Sequence, residues 1–148
     1  MWLESTSPDR TLEIGLALGS IMPGGTALSL EGGLGAGKTL FAKGVCRGLG
    51  VPDEVVSPSF ILVEEYRGAF PVLHFDLYRL ERVDDAAGIG LFDAIDGRSV
   101  VIVEWGDRLP PGVVAFDVVA NLRISGPESR EITIAGPKEL CDELERTP

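Results

Sequence analysis

The apolar side chains Ile14, Ala17, Leu18 and Ile21 recur at helical spacing, which predicts a first helix over about 8–21. Ser7 is placed to cap it, Pro8 suits its first position, and Asp9 complements the positive end of the helix dipole. Pro23-Gly24-Gly25 stops this helix, and Thr26 to Leu30 follows as a short strand. Glu31 to Gly37 is a glycine-rich loop. Helical spacing then returns from Lys38 to Leu49, with Phe41, Val45 and Leu49 on one face, and closes at Gly50-Val51-Pro52.

Further along, the period shortens. Phe60 to Tyr66 reads as a strand, and Arg67-Gly68-Ala69 turns the chain into another from Pro71 to Leu77. There Leu73, Phe75 and Leu77 face one way and His74, Asp76 and Tyr78 the other. Residues 84–96 are weakly helical. Ser99 to Glu104 is a continuous apolar run ending in an acid, as expected of a strand buried on both faces. Val113 to Ile124 alternates, with Val114, Phe116, Val118, Ala120, Leu122 and Ile124 on the apolar face and Asp117, Asn121 and Arg123 opposite. After a turn at Gly126-Pro127, Glu131 to Ile134 reads as its antiparallel partner, and Lys138 to Arg146 as a short acidic helix. Strand, loop, helix, buried strand and hairpin in this order predict an α/β fold with a mixed sheet, its parallel core carrying the loop and antiparallel strands extending it.

A length of 148 residues fits one domain over 1–148. No apolar run approaches the roughly 18 residues of a membrane span. The start, MWLESTSPDR, lacks a basic segment followed by an apolar one. Cys46 and Cys141 are too few for a disulfide scaffold and are expected to be reduced, so a cytoplasmic location is expected. The formal charge of −10 argues against direct nucleic-acid binding, which needs a basic patch to displace counterions.

Gly32-Gly33-Leu34-Gly35-Ala36-Gly37-Lys38-Thr39 fits the pattern G-x-x-x-x-G-K-[ST]. Glycines let main-chain N–H groups approach phosphate oxygens without a Cβ in the way. The helix that follows points its unpaired N–H groups and positive dipole end at the anion. In such a loop the amides of Gly33 to Thr39 grip a triphosphate, Lys38 reaches its β- and γ-phosphates, and the Thr39 hydroxyl binds Mg²⁺. A local anion pocket of this kind lets a protein of charge −10 take up a polyanion.

Hydrolysis also requires a metal-ordering acid and a group that orients water. Glu104, at the end of Val100-Val101-Ile102-Val103, is the stronger candidate, and Asp76 the second. Ser57-Pro58-Ser59 brings two hydroxyls just past the second helix, where nucleotide-dependent loops read a γ-phosphate; a simple turn is the alternative. Trp105 is open to two readings, stacking at the site or filling a core or interface. His74 is open to two as well, a site wall shared with Asp76 and Tyr78 or a satisfied strand histidine.

LEGGLGAGKT (30–39), VSPSF (56–60), HFDLYRL (74–80) and VEW (103–105), in that order, resemble the TsaE family of small bacterial P-loop ATPases. The resemblance covers about residues 5–135. It implies a P-loop NTPase-like mixed sheet flanked by helices, ATP and Mg²⁺ as ligands, and slow ATP hydrolysis. It also implies a role in making threonylcarbamoyladenosine on tRNA together with two partner proteins, TsaD and TsaB. Carried onto this chain, Leu34 to Thr39 would hold the nucleotide, Thr39 and Glu104 the Mg²⁺, and Asp76 and Glu104 would serve hydrolysis with Lys38. Ser57 to Phe60 would be a switch-like loop, and Trp105 would support the site or a partner surface. Leu40 stands where many members carry a second threonine, and Ser59 where many carry threonine. A small-molecule kinase is a different reading, but Arg79, Arg82 and Arg98 are scattered and form no lid pattern. A nucleotide-sensing module without useful turnover is a third, and the missing hydroxyl at Leu40 suits it.

Overall fold

Parallel strands need long crossovers, and this chain supplies helices for them. The computed structural model describes residues 1–58 and 62–148. The elements are β1 (Trp2–Ser5), α1 (Pro8–Ile21), β2 (Ala27–Gly32), α2 (Lys38–Gly48), β3 (Val63–Arg67), β4 (Pro71–Asp76), α3 (Val83–Gly88), α4 (Leu91–Ala94), β5 (Val100–Glu104), β6 (Val118–Ile124), β7 (Arg130–Ala135) and α5 (Lys138–Arg146). Among the described residues, seven strands form one sheet in the order β1-β7-β6-β2-β5-β4-β3. The β6, β2, β5 and β4 strands run parallel, and β3, β7 and β1 extend them antiparallel. The expected mixed α/β sheet with a parallel core is therefore the one observed.

The α1 helix begins as its sequence predicts: the Ser7 side chain accepts from Arg10 N, and Pro8 opens the helix. Each sheet face has its own core. On one, Leu28 and Leu30, Val72, Val100 and Ile102, and Val118, Ala120 and Leu122 pack under α1, α2 and α5. On the other, Phe75, Leu77, Val101 and Val103 pack against the segment holding α3 and α4. The β5 strand is buried along its whole length, as its unbroken apolar run requires.

The two long helices meet through glycines. A Cβ at Gly15 would stand 2.4 Å from Phe41 O and one at Gly19 2.1 Å from Val45 O. In return, a Cβ at Gly44 would stand 2.2 Å from Leu12 O, and one at Gly48 at the same distance from Leu16 O. The backbones of α1 and α2 touch, which fixes α2, and the loop at its head, against the sheet.

Two expectations are corrected, and one strand is added. The strand expected from Val113 starts at Val118, because its neighbour β2 begins only at Ala27 and pairs Leu28 with Val118. Just before it, Asp117 donates its N–H to Ala27 O and takes the Ala27 N–H on its carboxylate, while Val114 and Phe116 turn to the opposite core. Ile124, assigned to the apolar face, is half exposed at the hairpin end. Trp2–Ser5, too short to show a pattern, becomes a strand because the open edge of β7 offers it partners from Arg130 to Thr133. The start of the strand expected from Phe60 lies outside the described residues; its observed part begins at Val63.

Candidate functional site

The loop between β2 and α2 lies at the carboxyl end of the parallel strands, where open α/β sheets bind their ligands. Gly37 caps α2 in the left-handed region, at φ 102°, a conformation that a side chain would strain. Its carbonyl takes the Phe41 N–H and starts the helix. The turn thus sets Lys38 and Thr39 side by side on the first helical turn.

Lys38 is buried, and its Nζ donates to Gly32 O at 2.8 Å and Gly33 O at 2.7 Å. The same ammonium lies 3.9 Å from the centroid of the Trp105 ring. Burial pulls the Lys38 pKa below its ordinary value, against the opposing pull of Glu104, Asp107 and Asp76. Thr39 Oγ1 donates to Glu104 Oε1 at 2.8 Å, joining the helix head to the end of β5. Asp76 stands opposite Glu104 in the β4–β5 ladder and accepts the Tyr78 N–H at 2.9 Å. Both acids are buried, so neither sits on a solvated outer face.

A cleft of about 270 Å³ gathers Leu34 to Thr39, Ser57, Asp76, Glu104 and Trp105. Gly33, also assigned to the loop cradle, is exposed at its start and gives its carbonyl to Lys38. Ser57 reaches the cleft from a segment without regular structure; Ser59 lies outside the described residues.

Trp105 belongs to the site wall. It takes left-handed φ and ψ of 60° and 37°, rare for a bulky side chain. Its N–H donates to Leu30 O, and its carbonyl accepts from Arg108 N, both at 2.9 Å. The resulting turn sets the indole tilted at 42° against Tyr78, with ring centroids 5.0 Å apart, and places the Arg108 guanidinium over both rings.

Two contributors escaped the sequence reading. Tyr78, expected on one wall with His74 and Asp76, lines the cleft, and Arg108 joins it there only because that turn folds back. Arg130, at the start of β7, donates to Ala36 O at 2.9 Å and Gly35 O at 3.2 Å, tying the far hairpin to the loop. No local signal marks it, since the contact depends on the hairpin's return. His74, whose role was open, is fully buried and hydrogen-bonded to Glu104.

The family model described as "Threonylcarbamoyl adenosine biosynthesis protein TsaE" matches residues 5–132. The chain belongs to the TsaE family. A tRNA threonylcarbamoyladenosine biosynthesis protein TsaE from Treponema pallidum is 37% identical over 131 residues, covering 88% of this chain and 97% of that protein. The TsaE of Bacillus subtilis is 35% identical over 147 residues, covering 96% of this chain and 92% of that one. The crystal structure of Bacillus subtilis YdiB superposes with a TM-score of 0.77 at 32% identity, covering 99% of this chain and 94% of that chain. The TsaE family is named for the biosynthesis of threonylcarbamoyladenosine in tRNA. Among the described residues, no helix is long and apolar enough to cross a membrane.

Proposed function

We propose that this TsaE chain is a magnesium-dependent ATPase that supports threonylcarbamoyladenosine modification of tRNA, working with TsaD-like and TsaB-like partners. The observation that carries the proposal is the 2.8 Å contact between Thr39 Oγ1 and Glu104 Oε1 at the head of α2, beside the buried Lys38 ammonium. A hydroxyl and a carboxylate are hard oxygen donors, and magnesium takes one or two such protein groups with the rest from phosphate and water. When bound, the ion would neutralise charge on the β- and γ-phosphate oxygens. In this reading the amides of Leu34 to Thr39 would hold the phosphates, Lys38 would give up its bonds to Gly32 O and Gly33 O to reach phosphate oxygens, and Asp76 would serve hydrolysis. The Ser57 hydroxyl, which lines the cleft, would meet the γ-phosphate. The partners rest on the resemblance to the TsaE family alone, and a cytoplasmic site of action on Cys46 and Cys141 being free.

The test is phosphate release from ATP and Mg²⁺ without any acceptor. Glu104→Ala should abolish it. Asp76→Asn should bind nucleotide normally yet lower turnover by about a hundredfold or more, the range for loss of a proton-accepting group. Phosphate found on a metabolite in an acceptor screen would instead identify a kinase. Binding without release, even with both partners added, would identify a sensing module.

A further inference from the structure

In the β4–β5 ladder His74 stands opposite Ile102 and Asp76 opposite Glu104, so His74 lies one pleat behind the cleft on the face that bears both acids. Its neighbours on that face, Val72 and Ile102, are apolar core residues. His74 is buried completely, and its Nε2 lies 2.6 Å from Glu104 Oε2. With the carboxylate oxygen as acceptor, the imidazole hydrogen of this contact is assigned to Nε2. Among the described residues Nδ1 has no hydrogen-bond partner. The ring therefore spends its hydrogen bonding on one atom of one carboxylate, and an apolar residue in its place would leave the buried Oε2 without that donor.

The two oxygens of Glu104 are thus divided. Oε2 is held from behind by His74, and Oε1 faces the Thr39 hydroxyl. Glu104 also feels the attraction of the Lys38 ammonium, which competes for the same carboxylate. We propose that His74 is a positioning residue of the site: its Nε2–H fixes Oε2 of Glu104, so that Oε1 stays presented to Thr39 and to the divalent cation that accompanies a nucleotide. This rests on the magnesium-nucleotide reading of the cleft. Groups that hydrogen-bond a metal-ligating carboxylate set its orientation and the site's affinity without touching the ion.

The test measures how much Mg²⁺ tightens binding of a non-hydrolysable ATP analogue, by calorimetry on the full chain in Mg²⁺ and in EDTA. In His74→Leu the magnesium-dependent gain should shrink about tenfold, while affinity in EDTA stays that of the unaltered chain. His74→Gln should restore the gain, because its amide nitrogen stands at the same bond separation from Cβ as Nε2. His74→Asn, whose amide reaches only the depth of Nδ1, should not, and it replaces the leucine variant if that one melts below the assay temperature. A full magnesium gain without the histidine overturns the proposal. So does equal loss in the glutamine and leucine variants, or loss that is as large in EDTA, since either marks a packing role. Absence of any gain in the unaltered chain overturns the reading of the cleft itself, and the role of His74 with it.

Discussion

Arg130 donates from Nε to the Ala36 carbonyl at 2.9 Å, a contact that spans 94 positions of the chain and binds the β6–β7 hairpin to the glycine-rich loop. Its remaining N–H groups serve Gly35 O, Gly126 O and Ser129 O. The loop's turn points the carbonyls of Gly35 and Ala36 at Arg130, and such carbonyls need donors. A planar guanidinium can serve several at once. Arg130→Ala should lower stability by about 1 kcal/mol, below the range for a bond to a charged group because part of the guanidinium meets solvent. Nucleotide affinity should weaken about fivefold, the same energy expressed in binding. Arg130→Lys should recover little, since an ammonium lacks the fork. Unchanged melting and affinity in both variants would show that the hairpin does not hold the loop.

Gly19→Ala tests the helix contact. Alanine ordinarily improves a helix by about 1 kcal/mol over glycine. Here its Cβ would meet Val45 O at 2.1 Å and Val45 C at 2.8 Å, both backbone atoms that cannot step aside. Overpacking should win, with a net loss of about 2 kcal/mol or more in urea unfolding. Gly33→Ala is the control, because nothing lies within 4 Å of its Cβ. A stable Gly19→Ala protein would mean that α1 and α2 part easily.

Lys38 gives a pH signature. Burial lowers its pKa from the ordinary 10.5, so the folded chain releases this proton at lower pH than the unfolded chain does. Between those two pKa values the unfolded state carries more protons, and stability rises with pH. The unaltered chain should therefore gain stability relative to Lys38→Met as pH climbs toward 10.5. Parallel urea-unfolding profiles for the two proteins would contradict this. Nucleotide affinity should meanwhile fall about tenfold to a hundredfold in Lys38→Met, from the loss of a charge-assisted bond.

The cysteines should differ in reactivity. Cys46 is fully buried in α2, and burial pushes its thiol pKa up to about 12. It should stay a neutral, unreactive thiol across the physiological range, whereas Cys141 is only partly buried. Iodoacetamide at pH 8 should label Cys141 alone in the folded protein and both cysteines in urea, as read by peptide mass. Early labelling of Cys46 would reveal local opening of α2.

Much of the site was readable because its parts are local. Gly37, Lys38 and Thr39 are consecutive, and the loop, cap and helix that present them are written within a dozen residues. The strand bearing Glu104 announced itself by an unbroken apolar run, and the alternation in 71–77 correctly put His74 and Asp76 on one face. The close helix contact has its own local mark, glycines spaced by four in GLALG and GVCRG. What misled was pattern without partner: Val113 to Asp117 alternates as a strand should, yet β2 offers it no ladder before Ala27.

Alone, then, the sequence determined the helices, the anion-seeking turn and the family, since each depends on side chains a few positions apart. The pairing of strands decided the rest. Register between β4 and β5 made His74 a support for Glu104, hairpin closure brought Arg130 to the loop, and the left-handed turn at Trp105 laid an indole beside Lys38. Such contacts join residues far apart in the chain, and no local period encodes them, because they form only where the whole sheet has fixed which strand ends meet.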